Sequence, residues 1–197
     1  LGYKNRVNNW DCEVTATDLI LMNRFVADAV VVKRSVIERA GLFDTNLTSS
    51  EDRDMWIRVA GHSRIHRLSE ALVKVRVHPG SMSTHGDRMK RNMKQVLEKT
   101  RRREPRLRKD VFLWPRANAF LLFQTGWIYH NERRYGAAMR DMLWSMLIWP
   151  VYFAPHRLCQ NYFFRVRTFV QFFREAIRRR NSGVTETSTR HSEPPNV

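Results

Sequence analysis

Ser50-Glu51-Asp52-Arg53-Asp54-Met55-Trp56-Ile57-Arg58 is the stretch on which the reading of this 197-residue chain turns. Thr48 and Glu51 stand three apart in front of an apolar-periodic run, the signature of a capping box. A helix is therefore expected from near Ser49 through Ala60, stopped by Gly61. On that helix Asp52, Trp56, Val59 and Ala60 share one face. Asp54 and Arg58 are four apart in the favourable acid-first order, and they are expected to pair on another, exposed face. Asp52 thus stands in the first turn on the apolar side, where it either serves free backbone N–H groups or lines a cleft. Since the helix dipole alone favours acidic residues in a first turn, the neighbouring sequence has to decide between the two.

Working outward, Ala29 to Val32 is a small, β-branched run that reads as a buried strand. Arg34 to Ala40 reads as a short helix ended by Gly41, and Asp44 to Ser50 as a polar loop. Beyond Gly61, Arg64 to Leu68 and Leu72 to His78 read as two strands, and Pro79-Gly80 breaks the chain. Upstream, residues 1–18 carry little pattern, and Leu19 to Phe25 is a short apolar stretch of either type.

In order, the chain shows Val30-Val31-Val32-Lys33-Arg34-Ser35, then Ala40-Gly41-Leu42-Phe43-Asp44, then Glu51-Asp52 leading to Trp56-Ile57-Arg58. Val75-Arg76-Val77-His78-Pro79-Gly80-Ser81-Met82-Ser83 follows. This succession resembles the acceptor-side half of a family 2 glycosyltransferase of the GT-A fold, over about residues 17–100. The resemblance implies transfer of a sugar from a nucleotide-sugar donor to a hydroxyl of a glycan or lipid-linked acceptor, usually with inversion. Asp52 is then the general base, because a sugar hydroxyl is a poor nucleophile until its proton is being removed. Glu51 positions the helix or contacts the acceptor, Trp56 and Arg58 pack and brace it, and Gly41 is a helix stop or part of the loop beside the acceptor. His78 corresponds to a late histidine that approaches the metal or the pyrophosphate, its alternative being a strand-ending residue with no ligand. A divalent metal, Mg or Mn, is expected in the complete enzyme.

The departures matter as well. Position 75 is Val where the family often has Tyr. Asp52-Arg53-Asp54 spells Asp-x-Asp, but it lies in a helix start and not at a strand end, so it is not the metal motif. No glycine-rich phosphate loop precedes it, and the chain begins with Leu1. The expectation is a fragment whose nucleotide-binding half lies upstream, inactive alone.

Charge divides the remainder. Residues 1–87 hold 12 basic and 11 acidic residues, and residues 88–197 hold 23 and 8. Arg88 to Arg103 reads as a basic helix interrupted by Glu104-Pro105. Arg116 to Asn131 and Tyr135 to Trp149 read as a helical pair, and Tyr152 to Arg180 as a longer helix rich in Phe and Arg. In the pair, Gly126, Tyr129, Ala138 and Pro150 match tetratricopeptide offsets, but no second copy follows, so one packed hairpin is expected. Residues 181–197 are Ser, Thr, Glu and Pro with almost no apolar residue, and are expected to be disordered. The organisation expected is a partial GT-A-like α/β half over 1–87, a basic helical extension over 88–180 and a tail, helix-dominated overall. Competing readings are a nucleic-acid-binding protein, which the charge supports but no recognised motif accompanies, and a peripheral module on an anionic membrane surface. Cys12 and Cys159 form no disulfide framework or metal cage. Near the end, the longest stretch without Asp, Glu, Lys or Arg, Met142 to His156, is too short to span a bilayer and is broken by Pro150 and Pro155. A cytoplasmic protein, peripheral at the inner face of the plasma membrane, is the expectation.

Overall fold

A computed structural model describes residues 12–25, 27–68, 70, 72–74, 84–151 and 163–189. The elements in chain order are β1 (Cys12–Val14), α1 (Ala16–Leu21), α2 (Arg34–Ala40), α3 (Glu51–Ala60), β2 (Ile65–Arg67), α4 (Gly86–Arg103), α5 (Pro105–Arg108), α6 (Leu113–Asn131), α7 (Tyr135–Ile148) and α8 (Phe164–Thr189). Helix dominates, as the sequence suggests. Among the described residues the sheet has two strands, β1 antiparallel to β2, with Cys12 opposite Arg67 and Val14 opposite Ile65.

Among the described residues one expected strand is absent, and only three residues of another can be followed. Val30 to Val32 runs extended from a 3₁₀ turn at Ala27–Ala29 to the start of α2, with Val31 fully exposed and Val30 and Val32 leaning on the core. It alternates as a strand would, but among the described residues no neighbouring strand takes its backbone hydrogen bonds. Leu72 to Lys74 form no ladder either, and the rest of that expected strand, His78 included, lies outside the described residues. At the other end, α8 continues to Thr189, past the Asn181 boundary of the expected disordered tail, which corrects that part of the reading.

Helix ends follow local chemistry. Thr15 caps α1 through a reciprocal box with Asp18: its hydroxyl oxygen accepts from the Asp18 N–H (3.2 Å), and Asp18 Oδ2 accepts from the Thr15 N–H (3.0 Å). α2 ends at Gly41, whose φ of 82° is the left-handed region glycine tolerates. α3 starts one residue beyond Ser50, and the expected Thr48–Glu51 box is not formed. Instead the amide of Asn92 on α4 lies 3.0 Å from Thr48 Oγ1 and 2.9 Å from Ser49 Oγ, so the hydroxyls are spent on a tertiary contact. With its carbonyl oxygen turned to the loop, Asn92 also accepts from the N–H groups of Ser49 and Thr48.

Two cores result. The first gathers Leu19 and Ile20 of α1, Val36 of α2, Met55, Trp56, Ile57 and Val59 of α3, Met93, Val96 and Leu97 of α4, and the first half of α6. The charge step near residue 87 therefore crosses a continuous packed core. The second core joins the later half of α6 to α7 and α8 through Phe120, Phe123, Tyr129, Ala138, Met142 and Phe172. Gly126 of α6 faces the Ala138 carbonyl of α7 closely enough that a Cβ there would touch it at 3.3 Å.

Candidate active site at the front of α3

Arg53, third in the series of charged residues opening α3, fixes the helix to α1. Its side chain is buried, Nε donates to the Leu19 carbonyl (2.8 Å) and an Nη to the Ile20 carbonyl (2.5 Å). These are the carbonyls a six-residue helix leaves without intrahelical partners. Burial brings the guanidinium down to about 10, against the opposing pull of the Asp52 charge.

Asp54 is buried as well, contrary to its expected exposed position. One oxygen accepts from Arg58 Nε (3.0 Å) and the other from Arg103 at the end of α4. The spacing identified the Arg58 partner correctly; the tertiary approach of α4 buries the pair. Arg58 also donates to the carbonyls of Ala40, Gly41 (3.0 Å) and Leu42 (2.8 Å). It thus clamps the Gly41 loop to α3. Asp44 closes that loop by accepting from the Asn46 N–H (3.0 Å) and from Lys99 of α4, and the Lys99 hydrogen bond is the chief cause holding its carboxyl below the usual carboxylate range. Trp56 packs between Phe25 and Phe43, with ring centroids 5.9 and 6.0 Å away.

Asp52 differs from its neighbours. It is half-buried, and Oδ2 accepts from Nδ2 of Asn23, the residue closing the apolar stretch after α1 (2.8 Å). Its Oδ1 accepts from the N–H of Arg53 (2.7 Å). Among the described residues it makes no ion pair within 4 Å, since the guanidinium of Arg53 is committed to α1. A carboxylate has about four lone-pair sites, so Asp52 retains capacity to accept. Three buried polar atoms without hydrogen-bond partners stand on the same pieces of chain: Asn23 Oδ1, Glu51 Oε2 and Trp56 Nε1. Ser50, immediately before them, sits at φ 60°, a conformation few non-glycine residues adopt.

The structure therefore brings Asn23 to Asp52; Glu51 is the preceding residue of the chain, and Trp56 stands one turn further on. Gly41 is separated from them: it is held by Arg58, six residues along α3 from Asp52 and so about 9 Å along its axis. Asn23 was not singled out in the sequence; its only signal is a polar side chain closing an apolar run. Asp52 and Asp54 look to different partners. Among the described residues no three His, Cys, Asp or Glu side chains come together to hold a metal ion, and His78 lies outside them. Comparisons with family models, with curated proteins and with solved structures return no match to this chain.

Proposed function

We propose that this chain is the acceptor-side part of an inverting glycosyltransferase and that Asp52 is its general base. The observation that carries the reading is the pairing of a half-buried carboxylate, which forms no ion pair among the described residues, with an amide that aims it. Asp52 would take the proton of an acceptor hydroxyl as that oxygen attacks the anomeric carbon of the donor. The new C–O bond forms as the bond to the nucleotide's phosphate breaks, and the electron pair leaves with the nucleoside diphosphate. In this reading α1 to α3 and the two strands are the GT-A-like part, and the α6–α7 pair is a lone tetratricopeptide-like hairpin behind it. The exposed apolar side chains of Val31, Leu42, Leu68 and Leu72 fit a surface that further strands would cover.

The test uses the protein expressed with the sequence encoded upstream of Leu1, supplied with a panel of labelled nucleotide sugars. Asp52→Asn keeps the shape and removes the basicity, so turnover should fall by about 10²–10⁴-fold with the melting temperature unchanged. Asp54→Asn should do the reverse, costing about 3 kcal/mol of stability because it weakens a buried double ion pair. Near-normal turnover by Asp52→Asn would remove the base assignment, and absence of transfer or of nucleotide release from every donor would remove the reaction class.

A further inference from the structure

α8 has two apolar faces, and only one of them is used. Arg165, Thr168 and Phe172 turn inward and are buried. Val166, Val170, Phe173 and Ile177 turn outward and are 49, 39, 50 and 45 % exposed. Their spacing of four, three and four residues makes a continuous stripe over about 17 Å of helix. The inward face is fully accounted for. Phe172 packs edge-on to Trp127 and stacks on His130, while Arg165 donates to the Ser145, Trp149 and Val151 carbonyls at the end of α7. The run of phenylalanines and arginines in the sequence therefore separates into a core set and an outward set. α7 repeats the feature: Leu143, Trp144, Leu147 and Ile148 are exposed while Ala138, Met142 and Ser145 are buried.

We infer that the outward stripe of α8 binds an anionic lipid surface, with the helix lying along it. Charge selects this occupant. Arg167 and Arg174 follow the stripe one residue after Val166 and Phe173 on exposed positions, and neither forms an ion pair within the described residues. The chain carries 35 basic against 19 acidic residues, and the part beyond residue 87 carries most of the excess. A second copy of such a chain is repelled at this face. A nucleic acid would satisfy the arginines but would leave Val166, Val170 and Ile177 against a charged backbone. An anionic membrane meets both needs, with acyl chains under the stripe and headgroups against the guanidinium groups. Among the described residues no helix is long and apolar enough to cross a membrane, so the contact is of the surface kind. The inference is independent of the role of Asp52.

Co-sedimentation of the full chain with vesicles of phosphatidylcholine alone, and of phosphatidylcholine with about a third phosphatidylglycerol, tests it. The anionic vesicles should bind at least about tenfold more tightly, and the difference should collapse between about 0.1 M and about 1 M salt. Val170→Glu with Phe173→Glu should lower binding about tenfold or more, and Arg167→Glu with Arg174→Glu about fivefold per arginine at low salt only. Should the double glutamate variant lose helical circular dichroism, Phe173→Ser at its half-exposed position serves in its place, with a loss of about fivefold. Equal binding to the two vesicle types, or full binding by the stripe variants, overturns the inference. So does a stripe-dependent dimer in sedimentation equilibrium, or tighter binding to duplex DNA than to anionic vesicles at the same salt.

Discussion

Asp52 at the front of α3 and Asp141 in the middle of α7 are both carboxylates drawn into the protein, and the two regions treat them in opposite ways. Asp141 is saturated. It accepts from Lys90 Nζ at 2.7 and 2.6 Å, from Thr125 Oγ1 at 2.7 Å and from the Arg140 guanidinium at 3.0 and 3.1 Å, so α4, α6 and α7 meet on one side chain. Asp52 is met by one amide and its neighbour's N–H, and among the described residues it forms no ion pair. Unpartnered buried atoms occur in the helical region too, among them those of Gln124, His130 and Trp149, so such atoms do not by themselves mark a site. A saturated buried carboxylate is a fastening; one held in aim with lone pairs to spare is available for chemistry.

The largest expected effect tests that contrast through stability. Asp141→Asn removes the countercharge of Lys90 and should cost about 3 kcal/mol in urea unfolding. Asp52→Asn should change stability by less than about 0.5 kcal/mol, since its amide oxygen can keep the Arg53 N–H and its NH2 can donate to Asn23 Oδ1 once that amide turns over. Comparable losses from the two variants would erase the distinction between fastening and functional carboxylate.

Much of the fold is legible from short-range chemistry. The run Arg34 to Ala40 with Gly41 behind it, the helix after Ser50, and the helical pair around Gly126 all appear where periodicity and stop signals place them. Strand pairing is less legible, because it depends on partners distant in sequence: Val30 to Val32 has the composition of a strand and no neighbour, while Cys12 to Val14 lacks the composition and has one. Capping shows the same division. Thr15 and Asp18 have the spacing of a box and form it locally, whereas Thr48 and Glu51 have the spacing and lose it to Asn92, more than forty residues away. At the candidate site, Asp52 follows from its motif. Its orienting partner Asn23 does not, because the contact spans 29 residues and belongs to no helical or strand period. The burial of Asp54 was missed for the same reason, since Arg103 reaches it from α4.

A medium effect is expected at Asn23. Asn23→Ala removes one neutral hydrogen bond and should cost about 1 kcal/mol of stability. In the transfer assay it should lower kcat about tenfold with KM little changed, because a base free to rotate is less often in line with its proton. A kcat equal to that of the unsubstituted protein would leave Asn23 as packing alone.

The smallest effect concerns Ser50, and its sign is the informative part. Ser50 precedes α3 at φ 60° and ψ 17°, and its side chain makes no capping hydrogen bond. Left-handed backbone costs a residue with a Cβ about 1 kcal/mol relative to glycine. Ser50→Gly therefore forfeits no cap and relieves that cost, against some added freedom of the unfolded chain. The net should be about 0.5 kcal/mol of added stability in urea unfolding. Ser50→Val, β-branched and poorly suited to this region, should lose about 1 kcal/mol or more. If the left-handed turn also sets the direction in which Asp52 leaves the backbone, the valine variant should lose transfer activity beyond its loss of folded protein, and the glycine variant should keep it. Destabilisation by glycine would mean that the serine side chain contributes more at this turn than its missing cap bond suggests. Full activity of folded Ser50→Val would separate the backbone conformation at Ser50 from the chemistry at Asp52.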